Sequence, residues 1–376
     1  MIKKIFFFLL LLSSLFAFSQ SIPLSDKCKI SVLTCGSGNQ LYSTFGHTAI
    51  RINDYERDLD VVYNYGMFDF NEGNFYLKFV KGDLQYFVAT TTYQEFILEY
   101  QFEQREVLEQ TLLLSPTQKQ QLFELLNSSL QGTEKFYTYK FIDRNCTTMI
   151  LDKINLILGS EIVQKVDSSQ LTYREVLHPY FENYFYYKFG ISIIFGEKVD
   201  REAEKLFLPI ELFTSLAKCS INDQKLVSST DTIVKANKPK IDFNFLDSIY
   251  FVSALLLLMV ILNFNKITNL YFTIMGIIGI FFCLVGFYSL HEELLWNYNA
   301  LLFNPLLLLL AFLNTCKFRS VLVVICLISI GVYSVIVISK PHFLLVLPFI
   351  LATSILLIRS EISIKKLLTS IKNNRT

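Results

Sequence analysis

The sequence predicts an α+β domain followed by an all-α transmembrane domain of five helices. In residues 21–220, short runs with strand-like alternation are interspersed with segments of helical periodicity, which is typical of a single α+β domain. From Ile249 to Ile358 the chain is almost continuously apolar, as membrane-spanning helices are. The overall hydrophobic content of 52% and mean hydropathy of +0.41 are too high for an ordinary soluble protein, and this apolar segment accounts for the excess.

The amino terminus has the organisation of a secretory signal peptide, predicted over residues 1–20. Lys3 and Lys4 precede the apolar run Ile5–Leu12, and small residues lead to a cleavage site after Ser19. The alternative, an uncleaved anchor, is disfavoured because the apolar run is short. The net charge of +1 gives no argument for a nucleic-acid partner, and none is expected.

The predicted exported domain, residues 21–220, begins with a series of strands. Strands are predicted at Lys29–Thr34, His47–Ile52, Asp60–Met67 and Arg105–Leu114, with a hairpin formed by Phe75–Val80 and Leu84–Ala89. Two helices are expected to open with capping boxes at Thr92 and Ser115, the second with Pro116 at its first position.

A cysteine at the start of a helix is the first candidate catalytic group. The polar turn Asp143-Arg144-Asn145 precedes Cys146, and apolar residues then recur with helical spacing until Gly159. In the first turn of a helix the free amides and the dipole favour the thiolate. The alternative is a buried cysteine that only fills space, but few such cysteines follow a polar turn at a helix start.

A thiol of this kind needs a base, and the exported domain offers two histidines. His47 follows Gly46 at the start of a predicted strand, and Asn64 lies roughly across from it on the next strand. A histidine at a strand start opposite a cysteine at a helix start is the arrangement of a papain-like thiol site. The alternative for His47 is a structural histidine at a strand end. His178 precedes Pro179 within an aromatic segment and is interpreted as structural.

The end of the exported domain is aromatic and then polar. Residues 171–195 are rich in Tyr and Phe, which indicates core packing or, alternatively, a surface that faces membrane or acyl chains. Residues 221–246 are predicted to form a linker. If Cys146 is a free thiol, the remaining exported cysteines Cys28, Cys35 and Cys219 allow at most one disulfide, and the sequence leaves its partners open.

The transmembrane domain is predicted over residues 247–360, with a cytoplasmic tail at 361–376. Its five predicted spans cover residues 248–264, 268–289, 294–313, 321–339 and 342–358. Export of the amino-terminal domain places Lys266, Lys317, Arg319 and the tail in the cytoplasm, and Lys340 outside, as the positive-inside rule requires.

The same topology places the loop after the second span on the outer side. His291, Asn297 and Asn299 are predicted to hold a lipid headgroup there; the alternative is that they cap and pack helices. His291 with Glu292 and Glu293 lacks a second histidine nearby, so no metal site is predicted. No cofactor is predicted either.

Several motifs together resemble a known family. They are LTCGSGNQLYSTFGHTAIRI, VVYNYGMFDF, NFYLKFVKGDLQY, FIDRNCTTMILD and, in the membrane domain, HEELLWNYNALLFNPL. The chain is similar over nearly its whole length to the Lnb-type lipoprotein N-acyltransferases of the Bacteroidota. The resemblance implies a circularly permuted papain-like fold, in which the histidine precedes the cysteine, as in the lecithin–retinol acyltransferase type. It places the nucleophile on Cys146, the base on His47 and, provisionally, the orienting residue on Asn64.

The resemblance also implies an activity: an acyl chain moves from a membrane phospholipid, through a cysteine thioester, to the α-amine of a diacylated lipoprotein. The expected location is the bacterial inner membrane, as a multi-pass protein with a periplasmic amino-terminal domain. Two other classes stay open. A cell-envelope cysteine peptidase or amidase would use the same dyad but needs no large membrane domain, and a non-catalytic membrane sensor would need neither Cys146 nor His47.

Overall fold

The computed structural model of the protein describes residues 23–166, 170–236, 243–313 and 317–373. The predicted signal peptide, part of the predicted linker and the end of the predicted tail lie outside the described residues. Within them, the chain forms a mixed helix and sheet domain followed by a group of apolar helices.

Strands β1 to β6 and β9 form one antiparallel sheet of seven strands, in the order β6-β4-β3-β2-β1-β5-β9. A second, two-stranded sheet is formed by β7 and β8. The strands are β1 Lys29–Cys35, β2 His47–Asp54, β3 Leu59–Met67, β4 Gln85–Thr92, β5 Val107–Leu112, β6 Phe136–Thr138, β7 Ser220–Ile221, β8 Gln224–Lys225 and β9 Val227–Val234.

Helices cover both faces of the large sheet and make up the carboxy-terminal group. Those of the amino-terminal domain are α1 Phe75–Lys81, α2 Tyr93–Phe102, α3 Pro116–Ser129, α4 Cys146–Leu158, α5 Tyr173–Leu177, α6 Phe185–Ile194 and α7 Pro209–Lys218. Those of the apolar group are α8 Ile249–Leu262, α9 Asn265–Tyr288, α10 Leu306–Phe312, α11 Lys317–Val337 and α12 Phe343–Asn373.

Strand β1, which lies between β2 and β5 in the sheet, is buried on both faces, and its successive side chains enter two different cores. Val32 belongs to a core that includes Ile150 of α4 and residues of α3 and α7. Leu33 points to the opposite face and packs in a core with Phe96 of α2. The sheet is therefore the middle layer of the domain. Helix α4 packs on one face of the sheet, against β2 and β3.

Most predicted elements that have a clear capping or alternation signal are confirmed. Thr92 and Ser115 each form a capping box with the residue three positions later, at the starts of α2 and α3. Helix α4 begins at Cys146 as predicted, and Gly159, with φ of +84°, ends it. The strands at Lys29, His47 and Asp60 form with ends shifted by a few residues at most.

The predicted hairpin over Phe75–Val80 is wrong, because this segment is the helix α1. Apolar residues at Phe75, Leu77 and Phe79 imitate strand alternation. The chain turns instead at Gly82, whose φ is +74° and whose amide donates to the carbonyls of Lys78 and Phe79. This glycine closure favours a short helix, and β4 pairs with β3 and β6 rather than with the segment before it.

The predicted linker is also wrong in part. Residues 227–234 form β9, the edge strand of the large sheet, in which Ser229 pairs with Thr111 and Asp231 with Glu109 of β5. Its Ser, Thr and Asp side chains gave the segment a polar composition, yet such residues are typical of an exposed edge strand. The amino-terminal domain therefore extends beyond residue 220, to Val234.

The predicted count of five spans is not confirmed. Among the described residues, three helices are long and apolar enough to cross a membrane, or four if a pair bent by 45° counts as one span. Helix α8 has 14 residues and is about 21 Å long, short of the roughly 30 Å of a bilayer core. The predicted third span is the bent pair, broken where Asn304 accepts from the amide of Leu306 just beyond Pro305.

The amino-terminal domain contacts one end of the apolar helix group. At that end the Ser289 hydroxyl donates to the Val80 carbonyl over 2.6 Å, and Lys340 pairs with Asp200. At the other end Arg359 donates to the Val260 carbonyl, and Arg319 donates to the Leu310 carbonyl. Arg319 and Arg359 thus lie at the end of the helix group that is opposite to the amino-terminal domain.

Candidate active site

Asn145 caps helix α4 and fixes the position of Cys146. Its side-chain oxygen accepts from the amides of Thr147 and Thr148 over 2.9 and 3.1 Å. Its side-chain nitrogen donates to the carbonyls of Phe141 and Phe207, each over 2.9 Å. Both polar atoms of this buried side chain therefore have hydrogen-bond partners. They tie the first turn of the helix to the segments that contain Phe141 and Phe207.

His47 enters the site from the first position of β2. The turn before it requires glycine, because Gly46 has φ of +84° and a Cβ there would lie 2.3 Å from the Cys35 carbonyl oxygen. Cys35 is the register partner of His47 on β1. The close approach of this turn to β1 thus fixes the backbone position from which the His47 side chain extends.

Asn64 orients the imidazole of His47. The His47 Nε2 and Asn64 Oδ1 atoms are 3.3 Å apart, and Asn64 Nδ2 donates to Thr91 Oγ1 over 3.2 Å. Since the amide nitrogen is used by Thr91, the amide oxygen accepts from Nε2–H. The other ring nitrogen, Nδ1, is then the unprotonated atom available to the Cys146 thiol.

The surroundings of Cys146 favour its thiolate. Burial by itself would raise the pKa of this thiol, but attraction to His47, a hydrogen bond with that ring, and hydrogen bonds from the Thr48 backbone and the Thr147 side chain together lower the pKa below its ordinary value. The half-buried Cys146 contrasts in this respect with Cys28, Cys35 and Cys219, which are buried free thiols whose pKa values burial raises.

A hydrogen bond between two threonines links β2, which carries His47, to α4, which carries Cys146. Thr48 Oγ1 and Thr147 Oγ1 are 3.0 Å apart, and both residues are fully buried. Each directly follows one member of the predicted dyad, so this contact sets the separation of His47 and Cys146. Sequence reasoning missed it. The signal that could have revealed it is a threonine directly after each of the two candidate residues, His47 and Cys146.

A bulge in β3 opens the space above the thiol. The β3–β4 register shifts between Asn64 and Met67, and within this interval Gly66 has φ of +93°. A Cβ at Gly66 would lie 3.6 Å from Cys146 Cβ and 3.8 Å from the Tyr137 hydroxyl. That hydroxyl is buried and has no hydrogen-bond partner among the described residues. The glycine thus leaves room next to the sulfur, with one unused donor close by.

Three residues predicted to bind a headgroup have structural contacts instead. Asn297 donates to the carbonyls of Ile193 and Ile194 at the end of α6, and Asn299 donates to the carbonyl of Ile193 and accepts from the Tyr333 hydroxyl. His291 Nε2–H donates to the Phe79 carbonyl at the end of α1 over 2.9 Å. These contacts correspond to the capping and packing alternative, and none of them involves Cys146.

His178 is buried and structural, as interpreted from the sequence. Its Nε2 lies 3.0 Å from Ser192 Oγ, and the Ser192 hydroxyl in turn donates to the Lys188 carbonyl. Burial, with repulsion from Lys188 and Arg174, lowers the pKa of His178 to about 4. The neutral His178 ring thus links α6, through Ser192, to the segment that precedes this helix.

The aromatic segment packs against protein on both sides, as the core interpretation predicts. Phe181 and Phe185 are buried within the amino-terminal domain, as core packing predicts. Phe189 stacks on Phe349 of α12 with ring centroids 4.7 Å apart, so the same segment also contacts the apolar helices.

A charged cluster connects the turn before Cys146 with the loop after α9. The Lys198 ammonium lies 2.6 Å from Asp143, 3.1 Å from Glu292 and 3.4 Å from Glu293, and Lys205 also pairs with Asp143. Burial opposes the charge of Asp143, but hydrogen bonds from the two lysines hold the pKa of its carboxyl below the usual value. No sequence pattern indicates this cluster, because its members are far apart along the chain.

Residues 19–179 match the family model described as the Lnb N-terminal periplasmic domain. This part of the chain is similar to that domain. The match includes Cys146, His47 and Asn64, and it supports the resemblance to the Lnb type. No curated protein and no solved structure matches the chain. Together with the three long apolar helices, the Lnb match supports a membrane protein with a periplasmic amino-terminal domain.

Proposed function

We propose that the protein is a thiol acyltransferase that acylates the α-amine of diacylated lipoproteins, using phospholipid as the acyl donor. The observation that carries the proposal is the alignment of Asn64, His47 and Cys146, with a thiol whose pKa is lowered. The match to the Lnb periplasmic domain and the apolar helices beside the site support a substrate that resides in a membrane.

The first half-reaction transfers the acyl group to the enzyme. Nδ1 of His47 takes the thiol proton, and the Cys146 sulfur attacks the ester carbonyl carbon of the phospholipid. As the tetrahedral intermediate collapses, the C–O bond breaks and His47 returns the proton to the leaving alkoxide. The products are a lysophospholipid and a thioester on Cys146.

The second half-reaction releases the acyl group to the amine. The uncharged α-amine attacks the thioester carbonyl, His47 accepts one amine proton, and the C–S bond breaks. An amide forms, and the thiolate is restored beside protonated His47. A thioester reacts well with amines, which explains the choice of cysteine, provided that water is kept from the intermediate.

The oxyanion of both intermediates needs a donor. The amides of Thr147 and Thr148 are used by the Asn145 side chain. We therefore assign the oxyanion to the Cys146 amide, at the positive end of the α4 dipole.

The finer parts of the family resemblance belong to this proposal. They are the circularly permuted papain-like fold, the likeness to the lecithin–retinol acyltransferase type, an origin in the Bacteroidota and a multi-pass location in the bacterial inner membrane. The order of His47 before Cys146 along the chain is what the permuted arrangement requires.

The deciding experiment traps the intermediate. The purified full-length protein is incubated with vesicles of phospholipid labelled in the acyl chain, and label that hydroxylamine releases is assigned to Cys146 by peptide mass spectrometry. We expect labelling of the wild type and of a Cys283→Ser control, and none of Cys146→Ser or His47→Ala. Labelling of Cys146→Ser would refute the assignment. Release of free fatty acid with no transfer to a diacylated lipopeptide would favour a hydrolase of the same dyad.

A further inference from the structure

Helix α1 and its neighbours expose apolar side chains at one edge of the periplasmic domain. Leu77 is 61% exposed, Phe79 45% and Val80 37%. Tyr42 and Phe70, each 59% exposed, pack edge-to-face with ring centroids 6.3 Å apart. We name these five residues the α1 patch. Phe70 also packs on Phe75 of α1, with ring centroids 5.1 Å apart, which joins the two groups of side chains. Exposed apolar side chains grouped in this way mark a surface that contacts something apolar.

The α1 patch is continuous with the end of a membrane-spanning helix. The last carbonyls of α1 are bound by the residues that follow α9: Val80 by the Ser289 hydroxyl over 2.6 Å, and Lys81 by the Leu290 amide over 2.7 Å. Phe287, in the last turn of α9, is 90% exposed. The apolar surface of α9 therefore runs directly onto α1, and the bilayer surface that meets one must meet the other.

Aromatic rings extend from the α1 patch to the thiol. Phe70 packs on Phe68 with ring centroids 4.8 Å apart, Phe68 on Tyr86 at 5.2 Å, and Tyr86 on Tyr137 at 6.3 Å. The Tyr137 hydroxyl faces the space left by Gly66 next to Cys146. Phe70 is exposed and Tyr86 and Tyr137 are buried, so these rings form a packed aromatic layer that runs from the patch to the space beside Cys146.

We propose that the α1 patch lies in the outer surface of the bilayer and is the place where a phospholipid acyl chain leaves the membrane for Cys146. The continuity with α9 selects a lipid surface over a protein partner, since the apolar face of a membrane helix is already covered by lipid. The delivery step rests on the proposed function, whereas contact of the patch with lipid does not.

Lipid contact is tested by tryptophan quenching. In the full-length Trp296→Phe protein, which removes the single tryptophan of the chain, Phe79→Trp is compared with Tyr55→Trp. Tyr55 is 92% exposed and follows the far end of β2, about 24 Å along the strand from His47. In vesicles of brominated phosphatidylcholine we expect quenching at position 79 and none at position 55. Absence of quenching at 79, or equal quenching at both positions, would overturn the proposal.

Delivery is tested with two acyl donors. The double variant Leu77→Ser/Phe79→Ser should acylate Cys146 from long-chain phospholipid vesicles about tenfold more slowly than wild type, in keeping with weaker binding of the apolar chain. It should react normally with a water-soluble short-chain ester, and Tyr55→Ser should behave as wild type with both donors.

The outcomes separate this inference from the proposed function. Unchanged acylation from phospholipid, or an equal loss with both donors, would overturn delivery through the patch. If the wild-type protein reacts with the soluble ester but never with phospholipid, the proposed function fails. In that case delivery through the patch falls with it, and the quenching result alone decides whether the patch contacts lipid.

Discussion

The reactivity of Cys146 depends on a short series of residues, each fixed by the next. Thr91 fixes the amide of Asn64, Asn64 fixes the ring of His47, and His47 lowers the pKa of the thiol against the opposing effect of burial. His47 and Cys146 were predictable because their residue types and local patterns indicate chemistry. Thr91 was not, because its role exists only through the pairing of β3 with β4.

The thiol should react with alkylating agents at lower pH than an ordinary cysteine. The folded-state pKa of Cys146 is lowered, so the thiolate persists as pH falls and is lost only below that lowered value. We expect the iodoacetamide rate of Cys146 to reach half its maximum below the pH typical of free thiols, near 8.5. In His47→Ala burial dominates and the profile should move to higher pH, with Asn64→Ala in between. An unchanged profile in His47→Ala would contradict this account.

The threonine pair should show coupling. Thr147→Val leaves the Thr48 hydroxyl buried without its partner and should cost about 1–3 kcal/mol of unfolding free energy. The double variant Thr48→Val/Thr147→Val should cost less than the sum of the two single variants, because neither hydroxyl is then left unpaired. Melting temperatures of the purified chain provide the comparison. Strict additivity would show that the two hydroxyls do not interact.

At the scale of elements, local sequence signals determine the secondary structure of some segments, and pairing within the sheet determines that of others. The capping boxes at Thr92 and Ser115 and the closing Gly159 act within one turn of helix, so sequence reasoning located those helices correctly. The strand β9 was missed because its exposed polar side chains satisfy the composition of a linker equally well. What makes Val227–Val234 a strand is its pairing with β5, which no local pattern records.

The attachment of α6 should weaken in acid. His178 has its pKa lowered to about 4 by burial, while an unfolded histidine titrates near 6.5. The unfolded chain therefore binds the proton first, and stability falls as pH drops from about 6.5 to 4, by roughly 3 kcal/mol at most. His178→Gln should flatten the dependence of the melting temperature over this interval while keeping a donor for Ser192. Parallel curves for wild type and His178→Gln would refute this origin.

At the scale of the whole molecule, the amino-terminal domain and the apolar helices form one unit joined by many contacts. Arg174 shows this most clearly: it pairs with Asp200 at 2.7 Å and also donates to the hydroxyl of Tyr298, in the loop between α9 and α10. The sequence predicted two domains separated by a linker. It could not predict this joint, because a buried arginine resembles any surface arginine until its partners are placed.

The orientation in the membrane can be tested by labelling. Trp296→Cys lies in an exposed position after α9, and Asn265→Cys lies at the opposite end of that helix. Both variants carry Cys146→Ser, so that the reactive thiol adds no label. In intact cells whose outer membrane is permeabilised, an impermeant maleimide should then label position 296 and spare position 265. Glu293, an obvious choice from the sequence, is buried and unsuitable. Labelling at 265 alone would invert the topology.

The Lys198 ammonium, shared between Asp143 and the loop after α9, ties the turn before Cys146 to the end of an apolar helix. Under the proposed function, this contact would hold the thiol at a fixed height above the bilayer. For the proposed reaction, the acceptor amine must be chemically suitable, and the distance between the amine and its lipid anchor must also match the position of the thiol. An amine anchored by its own lipid chains searches a thin layer at that height, where its effective concentration is high. A free peptide must find the same point from solution. An enzyme of this shape would then ignore the sequence that follows the acylated residue.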